Sequence, residues 1–91
     1  MLNHYAALLA SGGDGPQALG VYSQALALNR ELNKPDGEAA SLEGIADHHL
    51  TEGDTSRGIE LLRQALEIYR RLGIRPDIER IQTRLPGLAA P

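Results

Sequence analysis

The sequence predicts an all-α fold of five helices, arranged as two helical hairpins followed by a C-terminal capping helix. Apolar residues recur at steps of three and four, as in Ile59, Leu62 and Leu66, and no segment alternates with a period of two. The chain also repeats itself after 40 residues: "QALALNREL" at 24–32 and "QALEIYRRL" at 64–72 share Gln, Ala, Leu, Arg and Leu at matching positions. A fixed period of this length is typical of arrays of stacked helical units.

Length and composition fit one small domain. The 91 residues are 42% hydrophobic and 23% charged, with a formal net charge of -3. The absence of cysteine excludes a disulfide framework and a thiolate metal site. No apolar run approaches the roughly 20 residues needed to cross a bilayer, and "MLNHYAALLA" lacks the basic start of a signal peptide. We therefore expect a soluble cytoplasmic protein without membrane contact.

Charge is distributed unevenly along the chain. Residues 1–53 include two basic and seven acidic residues, whereas residues 54–91 include seven arginines and five acidic residues. Most of these charges are expected on solvated helix faces, where they pair along the helix. The alternative interpretation is a head-to-tail or charge-steered contact between molecules.

Turn and capping residues predict where the helices begin. The segments "SGGDGP" at 11–16 and "TEGDTS" at 51–56 are turns, and Asp14 and Asp54 are positioned as N-caps of the helices that follow. Pro16 suits the first turn of its helix.

Two proline-containing segments predict where the longer helices end. Proline disfavours helical geometry in the residue before it, so we expect breaks at "NKPDG" (33–37) and "GIRPD" (73–77). Helices are then predicted at about 2–11, 16–33, 37–51, 55–72 and 77–86. The domain (1–86) divides into a first repeat at about 1–36, a second repeat at about 37–76, a capping helix at about 77–86 and a frayed tail at 87–91.

The doubled helix-turn-helix unit resembles the tetratricopeptide repeat, in which small residues stand where paired helices touch. When Gly53 and Asp54 are aligned with the turn of the family's repeat, small residues fall at the positions where the two helices of that repeat pack together. A larger side chain there would overpack the helix contact. The predicted packing residues are Ala6, Ala25, Ala46, Gly58 and Ala65.

This chain departs from the common pattern of that family in length and in two residues. Its period is 40 residues instead of about 34, and it lacks the tryptophan of the first helix and the closing proline. Stretched units with phrases such as "GEA" and "ALEIYRRLG" are similar to those in C-terminal regions of large bacterial regulators of antibiotic pathways. The resemblance implies a protein or peptide interaction module within a bacterial transcription regulator, acting by binding and not by chemistry.

In the family, the first helices of successive repeats line a concave groove, and the resemblance transfers candidate partner-binding residues to this chain. Glu43 and Asp47 stand four residues apart, so their carboxylates face the same way. Such a groove would prefer a peptide with a basic residue, whereas the alternative is a solvated acidic stripe without a ligand. The candidate groove residues are Asn3, Ala7, Ala10, Ala40, Glu43, Asp47, Leu50 and Thr51.

No combination of residues supports catalysis or a metal site. His48 and His49 are adjacent, and adjacent helical side chains diverge by about 100°, so the two rings cannot readily share an ion. His49 falls on a predicted packing position. Ser41 and His48 are two helical turns apart, which excludes a triad with Asp47. We expect no catalytic residues, no metal and no cofactor.

Phosphate and nucleic-acid binding are also disfavoured. The glycine-rich "SGGDG" at 11–15 precedes a helix, but no lysine or strand accompanies it. The C-terminal arginines are interleaved with acidic residues in a net acidic chain, without aromatic residues beside them. We therefore expect no direct contact of this segment with nucleic acid.

The two ends of the array differ in their apolar patterns. At the C-terminal end, apolar residues form one stripe that can cover the second repeat, while Arg80 and Arg84 are expected in water. That stripe consists of Ile74, Ile78, Ile81, Leu85 and Leu88. At the N-terminal end, apolar residues point to more than one side of the first helix, which predicts an interface with a preceding helix or with a second copy. Those residues are Leu2, Tyr5, Leu8 and Leu9, and self-association through them is the alternative function.

Overall fold

The computed structural model describes residues 2–89, and within that range it contains five α-helices and no strand. The predicted all-α class, with tandem helical hairpins, is confirmed. Met1, Ala90 and Pro91 lie outside the described residues. The helices are α1 (Leu2–Ser11), α2 (Gly15–Glu31), α3 (Pro35–Thr51), α4 (Thr55–Leu72) and α5 (Arg75–Ala89).

Short turns join the helices, and each helix packs against the next one along the chain. In addition, α1 packs against α3, so the first helices of the two hairpins lie side by side. This arrangement leaves a groove between α1 and α3, with α2 beneath it.

The turn inside each hairpin is built in the same way. Gly13 and Gly53 adopt left-handed backbone conformations, with φ of 87° and 86°, which residues with a Cβ atom rarely adopt. Asp14 then accepts a hydrogen bond from the backbone N–H of Gln17 at 3.2 Å. The predicted N-cap roles of Asp14 and Asp54 are confirmed, because Asp54 accepts from the backbone of Arg57 at 3.3 Å in the same way.

Proline residues begin helices here instead of lying before them. Helix α3 begins at Pro35, and Pro76 lies in the first turn of α5, so both helices start two residues earlier than predicted. The missing N–H of proline is harmless in a first turn, where it would have no partner within the helix. Left-handed residues, Asn33 with φ 55° and Gly73 with φ 71°, follow α2 and α4.

The C-terminal helix is longer than predicted. Helix α5 continues through Pro86 to Ala89, so residues 87–89 belong to it and not to a frayed tail. Proline inside a helix removes one backbone hydrogen bond, but Leu88 beyond it still packs against the core. Residues 90 and 91 of the predicted tail lie outside the described range.

The hydrophobic core is concentrated in the second hairpin. Its large buried side chains come from α3 and α4, with Ile81 added from α5. By contrast, the buried hydrophobic residues that the structure describes in α1 and α2 are all alanines: Ala6, Ala18 and Ala25. The five residues predicted at helix contacts are all buried, namely Ala6, Ala25, Ala46, Gly58 and Ala65.

Candidate partner-binding groove

A groove of about 240 Å³ runs between α1 and α3. Small side chains of α1 form one wall, polar side chains from the second half of α3 form the other, and α2 closes the bottom. Its lining residues are Ala7, Ala10, Gly15, Ala18, Tyr22, Gly44, Asp47, His48, Thr51 and Glu52.

Tyr22 forms the floor of the groove through a very close approach to α3. A Cβ atom on Gly44 would fall 2.3 Å from Cε1 and Cζ of the Tyr22 ring, so only glycine fits at this position. Burial raises the pKa of Tyr22, and the charges of Asp47 and Glu43 raise it further. The sequence did not identify Tyr22 as a groove residue, although a glycine inside a helix often marks such a contact.

Four of the candidate groove residues line this groove: Ala7, Ala10, Asp47 and Thr51. The other four, Asn3, Ala40, Glu43 and Leu50, do not. Ala40 is half-buried on α3.

Asn3 does not line this groove, and its side chain instead joins α1 to α3. Its side chain donates to the carbonyl of Gly37 at 3.3 Å and accepts from the hydroxyl of Ser41 at 2.8 Å. Ser41 is fully buried, and Asn29 of α2 donates to its hydroxyl at 3.5 Å. This polar cluster ties α1, α2 and α3 together.

Leu50 faces the inside of the second hairpin. A Cβ atom on Gly58 would lie 2.5 Å from the Leu50 side chain, so α4 approaches α3 closely at this point. Leu50 packs against the core and is not part of the groove wall.

Glu43 and Asp47 do face the same way, but α5 supplies their basic partners. Arg80 forms an ion pair with Glu43, and Arg84 pairs with Asp47 at 2.7 Å. Both arginines stay partly in water as expected, with side chains 46% and 35% exposed, but their ion pairs with α3 were not predicted. The stripe on α5 predicts which side of the helix packs but not how α5 is rotated against α3.

Glu43 is the more enclosed of the two carboxylates. Its side chain is 13% exposed, compared with 55% for Asp47. The hydroxyl of Tyr69 donates to it at 2.9 Å. Burial, followed by the charge of Glu43 and this hydrogen bond, raises the pKa of Tyr69.

The helices that form this groove lie within a segment that matches a known family. The sequence profile of the tetratricopeptide repeat family matches residues 1–71, which is more than half of the chain. The chain belongs to the tetratricopeptide repeat family. Searches among curated proteins and among solved structures found no match.

Tetratricopeptide repeats are typically non-catalytic modules for protein–protein interaction, and this repeat domain shares their helical hairpins. The family match includes α1 to α4 almost completely and ends before α5 begins. No helix among residues 2–89 is long and apolar enough to span a bilayer.

The adjacent histidines of the repeat domain have different surroundings. The ring centroids of His48 and His49 are 5.7 Å apart, with an edge-to-face angle of 74°. His48 lines the groove near Gly15, whereas His49 is half-buried outside it. Within the described part of the chain, no three His, Asp or Glu side chains are grouped so that they could hold one metal ion.

The N-terminal helix carries apolar residues that the repeat domain leaves in solvent. Leu8 is 58% exposed and Tyr5 48% exposed, whereas Leu2 and Leu9 are half-buried. Leu2 also borders a second groove of about 340 Å³. Two exposed leucines, Leu28 of α2 and Leu32 directly after it, line that groove as well.

Proposed function

We propose that this repeat domain binds a peptide segment of a partner protein in the groove between α1 and α3. The support is the combination of an open groove, small side chains along one wall and polar groups along the other. Ala7 and Ala10 leave room for a peptide backbone close to α1, and the hydroxyl of Thr51 offers a polar contact on α3.

The charge of the groove suggests a partner with a basic residue. Asp47 and Glu52 both line it, and Asp47 keeps 55% of its side chain exposed although Arg84 contacts it. Glu52 takes part in none of the ion pairs found within residues 2–89. A lysine or arginine of the ligand near Glu52 would therefore meet complementary charge.

Selection of displayed random peptides on the immobilised domain tests this proposal. Peptides that bind should lose affinity for Ala7→Arg and Ala10→Arg, because each variant fills the groove and adds positive charge. Ala27→Arg is the matched control, since Ala27 is exposed on α2 and does not line the groove. The proposal fails if selected peptides bind the groove variants and the control equally well, or if no basic residue is enriched among them.

We also propose that the domain works in the cytoplasm as part of a larger bacterial transcription regulator. The support is the similarity of its stretched repeats to those in the C-terminal regions of such regulators. Sequencing the gene around this segment tests the proposal. A reading frame that continues into nucleotide-binding and DNA-binding regions supports it, and a frame without them contradicts it.

Self-association is a second candidate function, favoured by the exposure of Tyr5 and Leu8 on α1. Two copies could bury these side chains against each other without a separate ligand. A molar mass that rises with protein concentration would support this function.

A further inference from the structure

The C-terminal helix α5 is held against the rest of the domain in two different ways. Its apolar side packs against α4, and Ile81 is fully buried in the same cluster as the core residues of α4. Toward α3, no Cα atom of α5 comes within 8 Å of a Cα atom of α3 in the described chain, whereas α1 and α3 do approach that closely. Contact between α5 and α3 therefore depends on long side chains.

Two arginines make that contact. Arg80 pairs with Glu43 and Arg84 with Asp47. The two arginines are one helical turn apart on α5, and the two carboxylates are one turn apart on α3. The two ion pairs therefore run in parallel between the helices. Because the arginine side chains are 46% and 35% exposed, solvent screens both pairs, the pair with Asp47 more strongly than the pair with the enclosed Glu43, and such pairs contribute little to holding a helix.

The connection between α4 and α5 is short and contains a conformationally permissive residue. It consists of Gly73 and Ile74, and Gly73 has a φ of 71°, which glycine adopts without strain. Helix α5 also contains Pro86, which removes one of its own hydrogen bonds. Since the family match ends at residue 71, α5 is an addition to the matched repeat pair.

We propose that α5 is an exchangeable strap, and that a partner helix with the same pattern binds α3 and α4 in its place. The pattern is a basic residue, an apolar residue directly after it, and a second basic residue four positions after the first, as in Arg80, Ile81 and Arg84. Glu43 and Asp47 bind the basic residues of the partner helix, and the buried site that Ile81 now occupies binds its apolar residue.

Exchange would also change the groove between α1 and α3. Asp47 lines that groove and is the partner of Arg84, so removal of α5 frees its carboxylate on the groove side. The exchange itself does not require a ligand in the groove, and it can therefore be tested even if the proposed function is wrong.

The test uses the full chain and a fluorescent synthetic peptide with the sequence of residues 74–89. In the variant Arg80→Glu with Arg84→Glu, like charges face each other across α3 and α5, and this repulsion opposes the packing of Ile81 and favours release of the strap. We expect the peptide to bind this variant about tenfold more tightly than the unmodified chain, measured by fluorescence anisotropy. A control peptide with glutamate at the positions of Arg80 and Arg84 should bind neither protein.

Charge exchange on both helices provides a second comparison. Adding Glu43→Arg and Asp47→Arg to the released variant restores two ion pairs with reversed signs. Hydrogen exchange should then show protected α5 amides in the unmodified and fourfold-substituted chains and rapid exchange in the released variant. The arginine-containing peptide should not bind the fourfold-substituted chain, because α3 no longer carries its carboxylates.

Equal peptide affinity for the unmodified and released chains would overturn the proposal, as would full protection of α5 in the released variant. If α1 to α4 also lose protection there, the milder Arg80→Gln with Arg84→Gln is compared by the same two measurements. A dimer of the unmodified chain that keeps α5 protected and dissociates on charge reversal would identify a second copy as the occupant, and the partner-helix proposal would then be wrong.

Discussion

The ring of Tyr22 on α2 lies so close to Gly44 on α3 that a Cβ atom at Gly44 would fall 2.3 Å from two ring carbons. This contact joins the two hairpins directly beneath the groove between α1 and α3. It also explains why a glycine is present in the middle of α3, where it lowers helix stability relative to alanine.

Gly44→Ala should therefore destabilise the domain. The added methyl group must displace the Tyr22 ring or separate the helices, and overpacking of this kind costs about 1–3 kcal/mol of the free energy of unfolding. Gly20→Ala is the matched control, because Gly20 lies in α2 with no atom within 4 Å of its would-be Cβ. Urea denaturation should show Gly20→Ala slightly more stable than the parent, by about 0.5–1 kcal/mol. Equal effects of the two variants would contradict the contact.

Ser41→Ala should weaken the junction of α1, α2 and α3. Its buried hydroxyl lies within hydrogen-bond distance of Asn3 and Asn29, and their amides would lose a partner in a half-buried site. Loss of such a group costs roughly 1–3 kcal/mol. In the control Ser23→Ala, the hydroxyl lost is exposed and contacts only its own helix, so stability should change by less than about 0.5 kcal/mol. Chemical denaturation distinguishes the two outcomes, and an equally small effect at Ser41 would show that the cluster contributes no stability.

Local signals in the sequence were sufficient to predict the five helices and the turn in each hairpin. Asp14 and Asp54 combine a glycine before them with a capping side chain, and each caps its helix as expected. The helix starts near Pro35 and Pro76 are predicted two residues too late, because proline both ends one helix and suits the start of the next.

Contacts between helices distant in sequence could not be predicted in the same way. The ion pairs of Arg80 with Glu43 and of Arg84 with Asp47 join residues 37 positions apart. An apolar stripe defines the side of a helix that packs, but the direction of long charged side chains depends on how two helices cross. The register of the family places Leu50 in the groove, whereas in this chain Leu50 packs against Gly58.

Ala65→Leu tests the predicted repeat register at a buried helix contact. Ala65 is fully buried on α4, so three additional carbon atoms must force neighbouring helices apart. We expect a loss of about 1–3 kcal/mol in the free energy of unfolding. The same substitution at exposed Ala27 on α2 should be nearly neutral in thermal melts. A melting temperature for Ala65→Leu equal to that of Ala27→Leu would contradict the register.

Tyr69 should make the stability of the domain sensitive to alkaline pH. Burial and the contact with Glu43 raise the pKa of Tyr69 above its ordinary value of 10.0. The unfolded chain therefore loses this proton at lower pH than the folded chain does. The stabilising contribution is fully present below pH 10.0 and is lost as the pH rises toward the raised pKa of the folded state.

The free energy of unfolding, measured by urea denaturation at several pH values, should fall above pH 10.0 in the parent and fall less steeply in Tyr69→Phe. Some decline should remain in that variant, because the pKa of Tyr22 is raised as well. Tyr5→Phe, on the exposed side of α1, should follow the parent curve. Identical pH profiles for the parent and Tyr69→Phe would show that Tyr69 does not cause the decline.

A glutamate substitution at the N-terminal end of the domain should affect association but not folding, whereas one at the C-terminal end should affect folding. Leu8 is 58% exposed, so Leu8→Glu should change the free energy of unfolding by less than about 0.5 kcal/mol. Ile81 is fully buried, and Ile81→Glu either buries a charge or displaces α5 from the core, so the free energy of unfolding should fall by more than about 2 kcal/mol. If two copies associate through α1, Leu8→Glu should also restore the monomer mass in light scattering at concentrations where the parent is a dimer. A parent that stays monomeric at every concentration would rule out self-association, and unfolding by Leu8→Glu but not by Ile81→Glu would reverse the assignment of the open and covered ends.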